Sequence, residues 1–306
     1  MTMPIISSSD GPRVSVNDLT KNPTVIPRRI LALMKNQFIA DAVLRKGDPA
    51  PSGIAQYFES TPLFADSGSS IRQEFAEYRI ITTSEGIPRV SVSIDRGLSV
   101  MISDEMRTRN QMDRVNLQIT QVKNTLIRDW DTAFITALLA NASVPTVAAA
   151  TAWATSTTIR NDILNSVKAV NNATTGNQAQ NFLMFNCDTM IITENQKFNI
   201  LTNASFNSGT NVYQGNLASE NLQYTGLMPQ KLLNLDVLVV KSGGPLPDGT
   251  VLFMERNTVG FISDEEALQA TPLYRDQPRR TNRSDVNRKS LIGIDQPKAA
   301  FKLTGT

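Results

Sequence analysis

The chain has 306 residues, with 30 Lys and Arg against 28 Asp and Glu, one Cys and no His. The missing His excludes imidazole triads, His-ligated metal sites and the usual pH switch, and a lone Cys187 excludes an intrachain disulfide and Cys clusters for zinc or iron–sulfur. The net charge of +2 falls short of the concentrated basic face of a dedicated nucleic-acid-binding domain, and the length suits about two domains. Met1 to Asp10 lacks a charged start followed by an apolar core, so no signal peptide is expected. No run approaches the 18 apolar residues of a membrane span.

Charge changes along the chain. Residues 1–46 carry +4, 47–150 carry −3, 151–250 carry −1 and 251–306 carry +2. Of 25 Asn, 15 lie in 151–250 and none in 51–100. Such a shift marks 151–250 as a separate unit with its own surface chemistry.

Residues 1–30 read as an extended arm: Ser7 to Pro12 is coil material, and Pro23 and Pro27 forbid a continuous helix. Pro27 is placed to open a helix whose stripe is Ile30, Leu31, Met34, Phe38 and Val43, ending near Gly47 and Pro49. Next, Ile71 to Thr82 alternates roughly, Ser84 to Pro88 turns, and Arg89 to Asp95 alternates strictly, which predicts a long hairpin. Both strands carry charge, and so little apolar surface cannot form a core alone. The hairpin must lie on something or be held by a partner.

Ser103-Asp104-Glu105 starts a helix with a capping hydroxyl and acids in the first turn. Val115, Ile119, Val122, Leu126, Trp130, Ala133 and Ala137 then form one stripe, and no Gly or Pro falls between Asp104 and Val144. The spacing predicts one core helix over 103–140. Residues 145–160 bridge to a helix bearing Ile159, Ile163, Leu164, Val167 and Val170. A strand at Phe182 to Phe185, a helix from Thr189 to Leu201 and a polar loop over 203–230 follow. Strands are expected at Val237–Val240, Val251–Met254, Ser290–Asp295 and Ala299–Leu303, with a turn at Gly243-Gly244. The order implies an α/β unit.

Phosphate loops, dinucleotide fingerprints and serine elbows are absent. Neighbouring helix positions point about 100° apart, so Asp129 and Asp131, two positions apart, do not converge and read as solvated or ion-paired surface. Asp264-Glu265-Glu266 reads as an exposed acidic helix start. Cys187 reads as a small buried residue, since no imidazole can activate it. No catalytic residue, cofactor or metal ligand is nominated. The best charged-contact candidates are Arg275, Arg279, Arg280, Arg283 and Arg288. Interspersed acids and the lack of aromatics favour a protein partner over phosphate there.

In this order of parts, the stretch from Arg89 to Phe134 is the most specific. It runs Arg-Val-Ser-Val-Ser-Ile-Asp-Arg-Gly-Leu, through Ile-Ser-Asp-Glu, to Asn-Thr-Leu-Ile-Arg-Asp-Trp-Asp-Thr-Ala-Phe. It resembles the hairpin return, helix start and spine helix of the major capsid protein of tailed double-stranded DNA phages, the Hong Kong 97 type of fold. The resemblance implies an α+β fold with an N-terminal arm at 1–50, an extended loop at 51–100 and a peripheral domain with its spine helix at 101–150. An inserted α/β axial domain at 151–264 and a return to the peripheral domain at 265–306 complete it. It implies a non-enzymatic shell of pentamers and hexamers around packaged DNA, in a virion assembled in the bacterial host cytoplasm. A scaffold, a portal and a decoration protein are the implied partners, and no membrane is involved. The alternatives are an encapsulin-like nanocompartment shell and a soluble enzyme using carboxylates or Lys.

On this reading Arg72, Glu74, Glu77, Arg79, Glu85 and Arg89 meet charges on adjacent subunits, and Arg275 to Arg288 supply part of the opposing surface. Arg13, Lys21, Arg28 and Arg29 of the arm face DNA or scaffold. Some family members crosslink through a Lys on the extended loop; here no Lys lies between Lys46 and Lys123, so non-covalent contacts are expected. The short arm implies a separate scaffold or none.

Overall fold

The computed structural model describes residues 15–61, 69, 71–78, 80–81, 85–174, 183–203 and 231–306. Of the expected extended arm, residues 1–14 lie outside the described residues, and the described part is helical. Helix α1 (Val16–Lys21) opens with a capping box, in which Ser15 Oγ accepts from the Asp18 amide and the Asp18 carboxylate accepts from the Ser15 amide. Helix α2 (Val25–Met34) begins two residues before Pro27. The first amides of a helix have no intrahelical partner, so the proline costs nothing at its third position. The expected single stripe then divides. Asn36 takes a φ of 59°, a short helix α3 (Ile39–Val43) follows, and β1 (Arg45–Lys46) ends the segment.

The hairpin forms, with its second strand close to where it was expected and its first from other residues. Strand β2 (Ile54–Glu59) pairs antiparallel with β3 (Ile87–Val92), from Ile54 opposite Val92 to Glu59 opposite Ile87. No described residue of 71–82 is in a strand; Glu74 and Phe75 sit in a turn. The chain runs on as β4 (Ile94–Ser103) and α4 (Asp104–Thr108), which Ser103 caps through the Met106 amide. The expected unbroken helix is interrupted without Gly or Pro. Asn110 adopts a φ of 50°, a conformation Asn tolerates, and its Oδ1 accepts the first amide of α1 at 2.8 Å. Beyond it α5 (Met112–Ala140) runs for 29 residues, on the order of 40 Å.

After β5 (Thr146–Ala148) and α6 (Ile159–Asn171), β6 (Thr189–Thr193) occupies residues expected to be helical. Its five residues are all buried, and a short fully apolar run cannot be assigned by periodicity. Thr193 then caps α7 (Glu194–Thr202) in a box with Gln196. Leu183 and Phe185 are buried but not in a strand; Phe182 and residues 204–230 lie outside the described residues. The sheets are completed by β7 (Lys231–Leu232), β8 (Leu235–Val240), β9 (Thr250–Met254), β10 (Phe261–Ala270), β11 (Tyr274–Asp276), β12 (Thr281–Gly293) and β13 (Ala300–Thr304). The acidic run Asp264 to Glu266 lies within β10, so it is no helix start.

One sheet has the order β1-β10-β12-β11, with β4 also on β12. The other runs β5-β13-β9-β6-β8-β7. A division at residue 264 would cut β10, and the second sheet draws β5 and β13 from outside 151–264.

Two large cores and a small cluster around Ala50, Phe261 and Leu291 form among the described residues, and α5 serves both large ones. Its Val115, Ile119, Val122, Leu126 and Trp130 pack with Ile26, Ile30, Met34 and Phe38 of the arm and with Val100 and Ile102 of β4. Its Phe134, Ile135 and Leu138 join Ile191, Leu252, Phe253 and Phe301 of the second sheet. The described part of the arm packs its apolar residues against this helix. Phe134→Ala, at a wholly buried position, is expected to cost about 3–5 kcal/mol in equilibrium urea unfolding. Leu117→Ala, on the exposed side of the same helix, should fall within about 0.5 kcal/mol.

Candidate intersubunit surface

The hairpin is fixed firmly at its base. The Glu59 side chain is 2% exposed and takes a 2.6 Å hydrogen bond from Arg89 Nε. Burial pushes the Glu59 carboxyl up, but Ser143, Arg89 and Asn141 favour its charged form more, leaving it below the usual range. Ser91 donates to the Ile292 carbonyl at 2.8 Å, and Ser93 donates to Glu265, which Lys289 also pairs with at 2.5 Å. Tyr57 meets the Phe261 ring edge-on at 5.4 Å. Gly53 turns the chain into β2 at a φ of 70°, where a Cβ would lie 2.8 Å from Glu265. These contacts tie the hairpin to β10, to β12 and to the residues just after α5, or close its own base.

Large apolar side chains are exposed beside the expected charges, on the strands and on the segment between them. Ile71 is 98% exposed, Phe75 95% and Ile80 89%. Tyr78, Ile81, Ile54, Phe58, Ile87, Val90 and Val92 are exposed as well. Residues 71–82 were expected as a charged strand; among the described residues, almost nothing covers Ile71, Phe75 or Ile80. Single exposed apolar residues are ordinary, but this many on one segment and its flanking strands suit an interaction surface.

The nominated charges divide into several groups. Arg72 lies over the Tyr78 ring at 5.1 Å, and Glu74, Glu77 and Glu85 are exposed, with no ion pair among the described residues. Arg79 and Arg13 lie outside the described residues. Arg89 serves its own chain. Arg275 holds Asp104 in a two-pronged bond of 2.6 Å each, and Arg283 holds Asp285 at 2.7 Å beside the Tyr274 hydroxyl. Arg279 reaches Asp276 only at 4.0 Å, and Arg280 is exposed near Asp104. On the arm, Lys21 and Arg28 are exposed and Arg29 is half-buried.

Arg288 is a correction. Its side chain is 5% exposed, bonded to Asp41 at 2.8 and 3.0 Å and to Asp264 at 3.0 Å, and it lies over Phe38 and Trp130. Burial works against its charge, but the two carboxylates outweigh it and raise its pKa. It joins the arm to β10 and β12 inside one chain and cannot reach a neighbour. Asp131 is a second correction: it is 7% exposed rather than solvated, and burial pushes it up to about 6. Cys187 is buried as expected, its thiol pushed up to about 12. No group of three or more Cys, Asp or Glu suited to a metal ion occurs among the described residues, and none of their helices is long and apolar enough to cross a membrane.

Arg288→Ala would leave Asp41 and Asp264 facing one another unpaired. It should cost about 3 kcal/mol in chemical denaturation, whereas Arg280→Ala should change stability by under about 0.5 kcal/mol. The low Glu59 pKa adds stability at neutral pH that is lost as pH falls below the ordinary glutamate value and through the folded one. Hydrogen exchange at residues 54–59 should therefore speed up, beyond the intrinsic rate, in acid, and less so in Glu59→Gln.

A family model described as phage capsid protein matches residues 89–303, more than two thirds of the chain. A search of curated protein sequences found no match. Among solved structures the chain is similar to a virus-like particle from Pyrococcus furiosus, with 10% identity, TM-score 0.61, and coverage of 91% of this chain and 97% of that one. It is similar to the capsid of the cyanophage P-SCSP1u, with 13% identity, TM-score 0.59, and coverage of 86% and 85%. It is also similar to the capsid of the Myoviridae phage XM1, with 10% identity, TM-score 0.55, and coverage of 88% and 92%.

Proposed function

This chain belongs to the phage capsid protein family and has the Hong Kong 97 type of capsid fold, and from that premise we propose how its surfaces build a shell. Pentamers and hexamers of the chain close into an icosahedral phage head around double-stranded DNA. Residues 1–50 act as the arm, 51–100 as the extended loop, 101–150 with the return from 265 as the peripheral domain, and 151–264 as the body of the axial domain. The loop lies across a neighbouring subunit. Lys21, Arg28 and Arg29, with Arg13, face DNA or scaffold; a portal and a decoration protein complete the set of partners. The virion is assembled in the host cytoplasm.

The observation that carries this reading is the exposed apolar set on a fixed base: Ile71, Phe75, Tyr78, Ile80 and Ile81. Each such side chain contributes about 1.5–3 kcal/mol when fully buried, against about 0–1 kcal/mol for an exposed ion pair. Apolar contact therefore outweighs charge at this interface. Glu74, Glu77, Glu85, Arg72 and Arg79 set its register, with Arg279 and Arg280 as opposing cations. The absence of Lys from this stretch supports a non-covalent joint.

A second reading keeps the shell but changes its contents. The likeness to the virus-like particle of Pyrococcus furiosus supports a closed shell; the second reading is an encapsulin-like nanocompartment, and nucleic acid in purified particles separates the two. For the joint itself, Phe75→Asp and Ile80→Asp should leave subunit melting unchanged while particles vanish from electron micrographs and sedimentation profiles. Normal particle yield from both variants would refute it.

A further inference from the structure

The seat of the arm on α5 contains a buried carboxylate with no cation of its own. Asp131 Oδ1 accepts the Ile39 amide at 2.9 Å, and the Ala40 amide also faces this carboxylate. These are the first amides of α3, whose own cap residue, Phe38, offers no side-chain acceptor. A residue on the long helix therefore does the capping for a helix 92 positions earlier. An Asp that caps a helix is ordinarily held ionised by it. Here burial is the stronger influence.

The charged groups around it explain why. From α3 comes Asp41, a like charge that raises Asp131 further. From β12 comes Arg288, already engaged by Asp41 and by Asp264 of β10. From β4 comes Arg96, stacked over Trp130 and bonded to the Asp129 carbonyl. On α5 itself Arg128 is mostly exposed and pairs with Asp129 at 3.5 Å. On α2, Arg28 is exposed and Arg29 half-buried. None of these cations forms an ion pair with Asp131 among the described residues. The cluster of Arg288, Arg96, Asp41 and Asp264 is neutral without it, and an ionised Asp131 adds one uncompensated negative charge.

We propose that docking of the arm segment 36–46 on α5 is coupled to protonation of Asp131, so the arm is held tightly in acid and loosened as pH rises to neutrality. The sign follows from linkage. The carboxyl is raised in the docked state, so docking takes up a proton in the window between 3.8 and about 6. The full hold is present below that window and is lost above it. The device belongs to a single subunit and goes beyond the shell reading; measured on unassembled subunits, its failure would leave that reading untouched.

The test is hydrogen exchange of the full chain between pH 5 and pH 8, corrected for the intrinsic rate. Protection of residues 36–46 should fall about tenfold across that range for one linked proton. Asp131→Asn keeps the accepting oxygen and cannot ionise. Its protection should be flat with pH and, at pH 8, higher than that of the unsubstituted chain. A flat profile in the unsubstituted chain, or lower protection in the variant at pH 8, would overturn the proposal. Carbon-detected titration of the Asp131 carboxyl in the unsubstituted chain gives an independent reading: a midpoint near 6 supports it, and one at or below 4 refutes it.

Discussion

One helix joins the two halves of this molecule. Helix α5 buries Val115 to Trp130 with the arm and β4, and Phe134 to Leu138 with the second sheet. Neither core closes without it. The changeover falls at Trp130 and Asp131. There, Arg288 brings β12, β10 and α3 together around one guanidinium, and Asp131 caps α3. A charge this deeply buried is a poor source of net stability, but removing any partner is costly, so the arrangement fixes where the arm must lie. The hairpin is placed by the same sheet, through Ser91, Ser93 and Tyr57.

That rigidity gives the exposed residues their meaning. A loose segment bearing Ile71, Phe75 and Ile80 would pay the entropy of ordering when it bound. Here the strands that flank it, β2 and β3, are paired and pinned at their base. The chain keeps its well-formed ion pairs for itself at Arg89, Arg275, Arg283 and Arg288, and the proposed joint is mainly apolar. A shell repeats each contact many times, so modest contacts with a fixed geometry suffice for closure.

The sequence made the periodic elements readable. The stripe of α5, the α6 positions Ile159, Ile163 and Val170, and the strands at β8, β9 and β13 follow directly from apolar spacing. What escaped was set by distant partners. Asn110 breaks the helix because its side chain caps α1, 94 residues away. β6 looked helical because a fully buried strand lacks alternation. The first hairpin strand was misplaced because Ile71 to Ile81 has strand-like residues with no strand to join, while Ile54 to Glu59 does pair. Arg288 and Asp131 looked like surface charges, since nothing local reveals a partner such as Asp41, 247 residues from Arg288. The family resemblance rested on the order of parts, which survives such errors. The apolar joint was hidden by its charged flanks.

The central claim is that the chain closes into a shell whose joints bury the apolar segment 71–81. Cryo-electron microscopy of the purified full-length protein tests it directly. The account predicts closed icosahedral particles in which Ile71, Phe75 and Ile80 lie against a neighbouring subunit. A monodisperse monomer, or particles in which this segment stays in solvent, would contradict it.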